Sequence, residues 1–399
     1  MKPCNHFSAC FNDFYRMFNA ARITRFQKEQ TPFYFYDTGL LQQTVDACRQ
    51  ASEKHAFHVH YALKANVNNE LLRIIRDAGF GADCVSGGEV AKALENGFSA
   101  DQVVFAGVGK TDQEINFALD ADIFCFNVES VQELEVIDDL ARKRNKQAQI
   151  ALRINPNVNA NTHEYITTGL EENKFGINSW EFNTVIEKLK TLQHIRCIGL
   201  HFHIGSQITD DNAFKSLCVK VNEFRRWFAD RGIYFKVLNV GGGLGVDYHQ
   251  PDRQPVVDFA SYFSIFDQFL EREPGQEVHF ELGRALVAQC GSLITRVLYI
   301  KKGINTNFAV VDAGMTELIR PALYHAYHRI ENISRPEEGN TQKYDVVGPI
   351  CESSDCFGKE VELPETHRGD LLAIRTAGAY GEVMTSSYNL RPKIRPLFL

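Results

Sequence analysis

The sequence predicts an α/β protein: a (β/α)8 TIM barrel plus a C-terminal, mostly antiparallel β domain that an N-terminal strand joins. Three observations support this fold. Eight short apolar segments alternate with segments of helical periodicity. Polar residues gather where those apolar segments end. After about residue 285 the helical periodicity fades and β-type segments follow one another, which is typical of a separate sheet.

Eight segments have the apolar composition and the length of buried strands. They are FHVHYAL (57–63), ADCV (82–85), VVFA (103–106), IFCFN (123–127), IALRI (150–154), CIGLHFH (197–203), KVLNV (236–240) and VHFEL (278–282). Amphipathic stretches such as NNELLRIIRDAGF and VQELEVIDDLARKRNK lie between the early ones. Eight alternating units over about 225 residues favour a closed barrel over an open doubly wound sheet.

The two ends of the chain differ from this central part in their residue patterns. SLITRVLYIKKG, NFAVVDAG, YDVVGPI and DLLAIRTAGAYG indicate strands of a second domain, and TPFYFYD (31–37) is a strand too early for the barrel. We therefore expect an N-terminal extension at 1–30, a strand at 31–40 that joins the β domain, the barrel at 41–284 and the β domain at 285–399. The Phe-rich extension lacks a signal-peptide pattern, and we expect a surface-packed or frayed terminus rather than a targeting or docking helix.

Composition limits the classes of partner. The 399 residues carry a formal net charge of −7, so no basic surface indicates nucleic acid, and a small polar metabolite is the expected partner. No segment is apolar and long enough to span a membrane. The ten cysteines form no CxxC pair or zinc-finger spacing, which indicates a reducing cytoplasm and no metal site.

Polar residues follow the predicted strands at their C-terminal ends, where barrel enzymes carry their active sites. They are Lys64, Asp83, Ser86, Glu129, Arg153, Asn155, His203, Gly241 to Gly243 and Glu281. Lys64 stands out because a cation at the end of an apolar strand is costly unless it is paired or takes part in chemistry.

Three further motifs each allow a functional and a structural interpretation. VGGGLGVDY (240–248) exposes backbone N–H groups after a strand, as a phosphate site requires, although a tight turn would look the same. In GLHFHIGSQ (199–207), the imidazole of His203 could pack against the ring of a cofactor, and the Ser206 hydroxyl could bind a phosphate. His201 is typical of a core histidine whose hydrogen bonds are satisfied. In HFELGR (279–284), Glu281 could hold a ring nitrogen protonated and Arg284 could bind an anion. The structural alternative is that the two residues form an internal ion pair.

Together these elements describe a pyridoxal phosphate site. Lys64 would form the Schiff base, and Glu281 would keep the pyridine nitrogen protonated. Taken singly, Lys64 is also compatible with a structural lysine or the Schiff-base lysine of an aldolase, but the combination of motifs argues against both.

At this point the chain resembles the fold-type III, alanine-racemase-like pyridoxal-phosphate decarboxylases, and within them the diaminopimelate decarboxylase family. The resemblance runs from TPFYFYD to SSYNLRP. Its motifs are YALKAN, GADCVSGGEV, HFHIGSQ, NVGGGLGVDY, DAGMTELIRPALY, VVGPICESSD and GAYGEVMTSSYN, in the order of the family. One departure is Leu282, where the family usually has proline; leucine keeps its N–H and frees φ.

The resemblance implies a role for each matched residue. Lys64 and Cys351 are the catalytic residues, as Schiff-base lysine and proton donor. The cofactor-binding residues are Lys64, Asp83, His203, Ser206, Gly241, Gly242, Gly243, Glu281, Gly283, Arg284 and Tyr380. The substrate-binding residues are Arg284, Arg320, Tyr324 and Tyr380, with Glu352 for the distal ammonium.

The resemblance also implies the reaction and the assembly. The expected activity is decarboxylation of meso-2,6-diaminopimelate to L-lysine and CO2, by a homodimer whose active sites are shared across the interface. A decarboxylase of arginine, ornithine or a carboxylated polyamine is the alternative enzyme. A non-catalytic cofactor-binding regulatory homologue is the alternative from another class, although the presence of both Lys64 and Cys351 argues against it.

Overall fold

The computed structural model describes residues 17–158, 174–335 and 340–399. The chain forms two compact units. The barrel unit comprises Leu41–Val246 and Val257–Leu286, and the sheet unit comprises the described part of Met1–Leu40 together with Asp247–Val256 and Val287–Leu399. The sheet unit thus contains a segment at 247–256 that the predicted boundaries place in the barrel, and it begins at 287 rather than 285.

The chain starts in the sheet unit, with helix α1 (Ala20–Phe26) and strand β1 (Phe33–Tyr36). Asn19 caps α1 by accepting a hydrogen bond from the backbone N–H of Arg22 at 2.9 Å. Phe26 is fully buried, and its ring lies 4.9 Å from that of Phe35 in β1. The described part of the predicted extension therefore packs against the strand that follows it, and residues 1–16 lie outside the described part.

Eight parallel strands close into a barrel in the order β2-β3-β4-β5-β6-β7-β8-β9. They are β2 (Phe57–Ala62), β3 (Gly81–Cys84), β4 (Val103–Phe105), β5 (Cys125–Val128), β6 (Ala148–Arg153), β7 (Ile195–His201), β8 (Val237–Asn239) and β9 (Glu277–Leu282). Each coincides within a few residues with a predicted strand, so the barrel prediction is confirmed. Nearly every strand residue is buried, as expected for parallel strands with helices outside.

Helices follow the strands around the barrel. They are α2 (Thr38–Glu53), α3 (Asn69–Asp77), α4 (Gly87–Glu95), α5 (Asp112–Asp120), α6 (Val131–Lys143), α7 (Phe182–Thr191), α8 (Asp211–Ala229), α9 (Phe259–Phe269) and the short α10 (Arg284–Val287). Six of them begin at a side-chain cap, which satisfies an otherwise unpaired backbone N–H. The caps are Asn68, Ser86, Thr111, Ser130, Asp210 and Asp258.

The sheet unit contains an eight-stranded, mostly antiparallel sheet. Its further elements are β10 (Gly291–Lys302), β11 (Asn307–Val311), α11 (Arg320–Tyr324), β12 (Ile330–Asn332), β13 (Thr341–Val347), β14 (Cys356–Pro364), β15 (Leu371–Ile374) and β16 (Leu397–Phe398). The strand order is β12-β15-β10-β11-β13-β14, and β1 pairs with β10 and β16. The N-terminal strand therefore joins this sheet, as predicted. None of the helices in the described residues has the length and apolar composition to cross a membrane.

An aromatic cluster attaches α9 to the barrel wall. Phe280 of β9 is fully buried, and its ring lies 4.8 Å from Phe263 and 4.9 Å from Phe266 in α9. Phe57 of β2 adds a third ring at 5.1 Å. The cluster joins the first and last barrel strands to the same helix, so it supports the closure of the barrel.

We expect Phe280→Ala to lower the free energy of unfolding by about 3–5 kcal/mol, because it leaves a cavity among rings that cannot collapse onto it. Urea unfolding followed by circular dichroism measures the change. Phe117→Ala is the matched control: its side chain on α5 is 42% exposed, so the change should stay within about 0.5 kcal/mol. Equal losses in the two variants would contradict a supporting role for this cluster.

Candidate active site

Lys64 lies in a short turn at the C-terminal end of β2, not on the strand itself. The strand ends at Ala62, and a 3-10 turn covers Leu63–Ala65. The turn is held in place because Leu63 and Ala65 are fully buried, while the Lys64 side chain remains 36% exposed. Lys64 Nζ donates to Asp83 Oδ2 at 3.2 Å. The amine is thus anchored to a rigid strand end and remains partly accessible.

Asp83 is the buried partner of this amine. Its Oδ1 atom is buried and has no hydrogen-bond partner among the described residues. Burial and, next, the charge of Glu281 raise the pKa of Asp83 to about 6, against the lowering effect of Lys64. A buried oxygen without a partner is costly, so this position favours a polar ligand beside Lys64.

Glu281, at the end of β9, contacts polar side chains from three other strands of the barrel. Asn127 Nδ2 of β5 and Asn239 Nδ2 of β8 donate to Oε1 at 3.1 and 2.7 Å, and His201 Nε2 of β7 lies 3.0 Å from Oε2. Burial alone would raise the pKa of Glu281, but His201 and Lys64 outweigh burial and lower it well below the ordinary value. The carboxylate is therefore ionised, and one of its roughly four lone-pair positions remains for a ligand.

The three partners of Glu281 were missed from the sequence or interpreted as structural. His201 resembled a satisfied core histidine, yet it contacts the carboxylate and its own Nδ1 has no hydrogen-bond partner in the described part of the chain. Asn127 and Asn239 are buried polar residues near the ends of apolar strands. That position is the signal that would have found them, because barrel strand ends converge on one face.

The glycine segment after β8 approaches the neighbouring backbone too closely for any side chain. A Cβ at Gly241 would overlap the Phe202 carbonyl oxygen, and a Cβ at Gly242 would overlap the Glu281 carbonyl oxygen. Gly243 has φ +100°, a backbone conformation that favours glycine. The glycines therefore bring a bare backbone beside Glu281, which a plain surface turn would not require.

His203, Ser206 and Arg284 lie around the same end of the barrel. The Gly242 N–H points to His203 Nδ1 at 3.5 Å, and Arg284 Nη2 donates to Ser206 Oγ at 3.1 Å. Burial and, next, the Lys64 cation lower the pKa of His203 well below its ordinary value. His203 therefore offers a neutral ring next to the glycines.

Gly283 and Leu282 fix the last strand against the lysine turn. A Cβ at Gly283 would lie 3.0 Å from the Cβ of Ala65, so a side chain there would be tightly packed against the lysine turn. Leu282, where the family usually has proline, is buried and paired with Tyr61 in the β2–β9 ladder. The leucine thus continues the strand up to the turn.

Other strand-end residues serve the scaffold. Ser86 accepts from the N–H of Glu89 as the cap of α4. Glu129 and Arg153 form a buried ion pair at 2.6 Å, and Glu129 also accepts from the N–H of Gly176 at 3.0 Å. Asn155 accepts from a backbone N–H two residues further along the chain. These residues hold loops together, and we assign them no chemistry.

The remaining predicted site residues belong to the sheet unit. Arg320, at the start of α11, is buried and donates to Tyr248 Oη at 3.0 Å, with His328 Nε2 at 2.9 Å. Tyr324 ends the same helix. Tyr380 has φ +57°, an uncommon conformation for a tyrosine.

Cys351 and Glu352 lie in the loop between β13 and β14, and both are exposed. The N–H of Cys351 donates to Asn389 Oδ1 at 3.2 Å, and Tyr388 Oη donates to Glu352 Oε1 at 2.8 Å. This CES loop is therefore held by the segment at 388–389, which ends the motif GAYGEVMTSSYN and to which no role was assigned from the sequence.

The barrel residues fit pyridoxal phosphate on three counts. Asp83 Oδ1 is buried without a partner among the described residues, Glu281 is ionised with a lone pair to spare, and the glycine segment brings its backbone close to Glu281, where a side chain would not fit. Such a site can hold a ligand that carries an aromatic ring nitrogen, a phosphate and an aldehyde that reacts with an amine.

Comparison with known proteins supports the same assignment. Residues 41–288 match the family model described as pyridoxal-dependent decarboxylase, pyridoxal binding domain. A diaminopimelate decarboxylase of Bacteroides thetaiotaomicron is 56% identical over 370 residues, which cover 92% of this chain and 95% of that protein. One from Helicobacter pylori is 42% identical and covers 96% of this chain and 93% of its own length.

The structural comparison agrees with the sequence comparison. A crystal structure of Helicobacter pylori diaminopimelate decarboxylase complexed with L-lysine has a TM-score of 0.88 and 40% identity, and the match covers 95% of this chain and 94% of that one. The resemblance predicted from the motifs, and with it pyridoxal phosphate as the cofactor, is confirmed. The chain belongs to the diaminopimelate decarboxylase family of pyridoxal-dependent decarboxylases.

Proposed function

We propose that this chain converts meso-2,6-diaminopimelate to L-lysine and CO2 by decarboxylation at the D-configured centre. The observation that carries the proposal is the Lys64 amine, paired with Asp83 at the end of β2 in the same barrel as the ionised Glu281. Relatives at 42–56% identity are diaminopimelate decarboxylases, and the Helicobacter pylori structure holds L-lysine, the product of the proposed reaction.

The cofactor, when bound, supplies an electron sink for the bond that breaks at Cα. Lys64 would hold it covalently, and Glu281 would keep a proton on the ring nitrogen. We assign the phosphate to Ser206, the glycines 241 to 243 and the backbone of 281–284, with Tyr380. His203 would lie against the ring, since a neutral imidazole can pack on an aromatic face without a charge to desolvate.

The substrate carries an amino and a carboxyl group at its non-reacting end, so the protein must supply both signs of charge. We assign Arg284, Arg320, Tyr324 and Tyr380 to the distal carboxylate, and Glu352 to the distal ammonium. The guanidinium of Arg320 is already oriented by Tyr248 and His328. Such an oriented donor loses little entropy when it binds a carboxylate.

Loss of CO2 leaves an electron pair on Cα, which must take up a proton to give L-lysine. We assign this proton to the Cys351 thiol. Its loop is held by the hydrogen bond from the Cys351 N–H to the side-chain Oδ1 of Asn389, while Cys351 itself is exposed. An exposed thiol on an ordered loop can reach a substrate, and solvent can return a proton to it after it has donated one.

The surroundings of this loop support a homodimer with shared active sites. Tyr388 and Leu390 are 48% and 95% exposed, although Tyr388 itself donates to Glu352 and Leu390 follows Asn389, which holds Cys351. Exposed apolar side chains next to functional residues are typical of an interaction surface. We therefore propose that a second copy of this chain covers them and receives Cys351 and Glu352 into its site.

A reducing compartment suits this chemistry. Every cysteine in the described residues is a free thiol, and Cys351 is exposed. Because an exposed catalytic thiol is lost on oxidation, we place the enzyme in the cytoplasm.

We expect the purified protein with added pyridoxal phosphate to release CO2 from meso-diaminopimelate and to leave arginine and ornithine essentially unchanged. A radiometric or coupled CO2 assay over the three substrates measures this. Lys64→Ala is the control that removes the covalent anchor and should abolish turnover. Release from arginine or ornithine instead would establish the alternative enzyme, and no release from any substrate would favour the regulatory homologue.

We expect Gly242→Ala to lose the cofactor, because the new Cβ would overlap the Glu281 carbonyl oxygen and must displace the glycine backbone. The absorbance of bound cofactor after dialysis measures retention. Gly109→Ala is the matched control, since a Cβ added at Gly109 would have nothing within 4 Å. Full retention in Gly242→Ala would show that this segment does not hold the phosphate.

We expect Glu352→Ala to lower kcat/KM for diaminopimelate about tenfold to a hundredfold, the cost of one charged hydrogen bond, while cofactor absorbance is unchanged. Glu362→Ala, an exposed glutamate of β14, is the control and should leave kcat/KM unaltered. Parallel loss of cofactor and activity in Glu352→Ala would contradict a role in substrate recognition.

The same variant tests whether sites are shared. Mixing Glu352→Ala with Lys64→Ala and allowing subunits to exchange should restore up to about a quarter of wild-type activity, because half of the dimers are mixed and each carries one intact site. Activity no greater than that of the separate variants would place both residues in the site of one subunit.

A further inference from the structure

A cluster of two histidines and a glutamate lies at the N-terminal end of the barrel strands. His58 of β2 and His279 of β9 are register partners, and Glu277 precedes His279 by two residues on the same face of β9. One ligand atom from each of the three residues lies within 4.8 Å of the others. This is the opposite end of β2 and β9 from Lys64 and Glu281.

A chain of hydrogen bonds determines which nitrogen of His279 carries a proton. His60 Nδ1 lies 3.1 Å from the Gln102 carbonyl oxygen, so it must donate, and in a neutral ring His60 Nε2 then accepts. His279 Nδ1 lies 2.8 Å from His60 Nε2 and therefore donates to it.

The other nitrogen of His279 then presents a lone pair to a carboxylate. His279 Nε2 lies 3.3 Å from Glu277 Oε2, and the His279 side chain is only 5% exposed. Two lone pairs at this distance repel each other unless a cation lies between them. Lys236 Nζ, at 2.9 Å, contacts the other oxygen, Oε1, and leaves Oε2 directed at His279.

We propose that His58, Glu277 and His279 bind one divalent transition-metal ion of the zinc, cobalt or nickel type. Two imidazole nitrogens and one carboxylate oxygen are a common ligand set for such ions. His60 would be the outer partner that orients His279, as metal-ligating histidines usually require.

The geometry requires only a small adjustment. Ligand atoms about 2.1 Å from one ion lie about 3.4 Å apart in a tetrahedral site, so the three groups must close by roughly 1 Å. His58 is exposed, and its ring already lies 4.7 Å from that of His279. A side-chain rotation of His58 can therefore complete the site while the buried His279 stays in place.

The ion would join β2 to β9, the first and the last strands of the barrel, and would stabilise the barrel without touching the substrate. The proposal therefore does not depend on the reaction that the enzyme catalyses. The sequence did not reveal the site, because His58 is far from Glu277 and His279 along the chain and the three residues match no linear metal motif.

Titration of the metal-free holoenzyme with Co2+, followed by its visible absorption bands, tests the proposal. We expect His58→Ala and Glu277→Gln each to lower the Co2+ affinity of this site about tenfold or more. His367→Ala is the matched control, because His367 and Glu365 are an exposed histidine–glutamate pair two residues apart that has no second histidine beside it among the described residues. It should titrate like the wild type.

Thermal unfolding gives an independent readout. Zn2+ should raise the unfolding temperature of the wild type and of His367→Ala, and should not raise that of His58→Ala or Glu277→Gln. Identical titrations of the wild type and both folded site variants would overturn the proposal. Failure of the wild type to bind Co2+ would also overturn it, and would assign the cation between His279 and Glu277 to a proton.

Discussion

The pairing of β2 with β9 is the contact on which the barrel unit depends. It joins Phe57 to Val278 and continues to Tyr61 and Leu282 in unbroken parallel register. Because side chains alternate across a strand, this register fixes which residues face the interior together. A shift by one residue would exchange the inward Glu281 for the outward Phe280 and would remove both the carboxylate and the aromatic cluster.

Closure in this register also makes a buried, ionised carboxylate possible. Glu281 is 6% exposed, and an isolated charge so deeply buried would shift its pKa upward and become neutral. His201 and Lys64 prevent this by lowering the pKa, and Asn127 and Asn239 donate hydrogen bonds to the carboxylate. His201, Asn127 and Asn239 belong to three other strands and reach the carboxylate only in the closed barrel. The ionised state of Glu281 is thus a property of the whole barrel, not of the HFELGR motif.

The sequence predicted those parts of the structure that repeat or that a motif carries. Strand periodicity located all eight barrel strands, and strand-end position brought Lys64, Asp83 and Glu281 together. The sequence did not identify His201 as the partner of Glu281. A histidine on an apolar strand has the same sequence pattern whether its side chain contacts a backbone group or a carboxylate. Nor did it separate residues 247–256 from the barrel, since a short loop carries no periodicity that marks its unit.

The inward residues of β9 connect the two ends of the barrel. Glu277, His279 and Glu281 occupy every second position of β9 and therefore share one face of the strand. Burial lowers the pKa values of His60 and His279, and the negative charge of Glu281 opposes that lowering. The carboxylate of Glu281 therefore favours positive charge at these histidines, although burial has the larger effect on their pKa values. Because this coupling runs through a buried interior, solvent screens it little. The seam that closes the barrel thus carries, on one inward face, the carboxylate that would contact the cofactor ring and a histidine whose pKa responds to its charge.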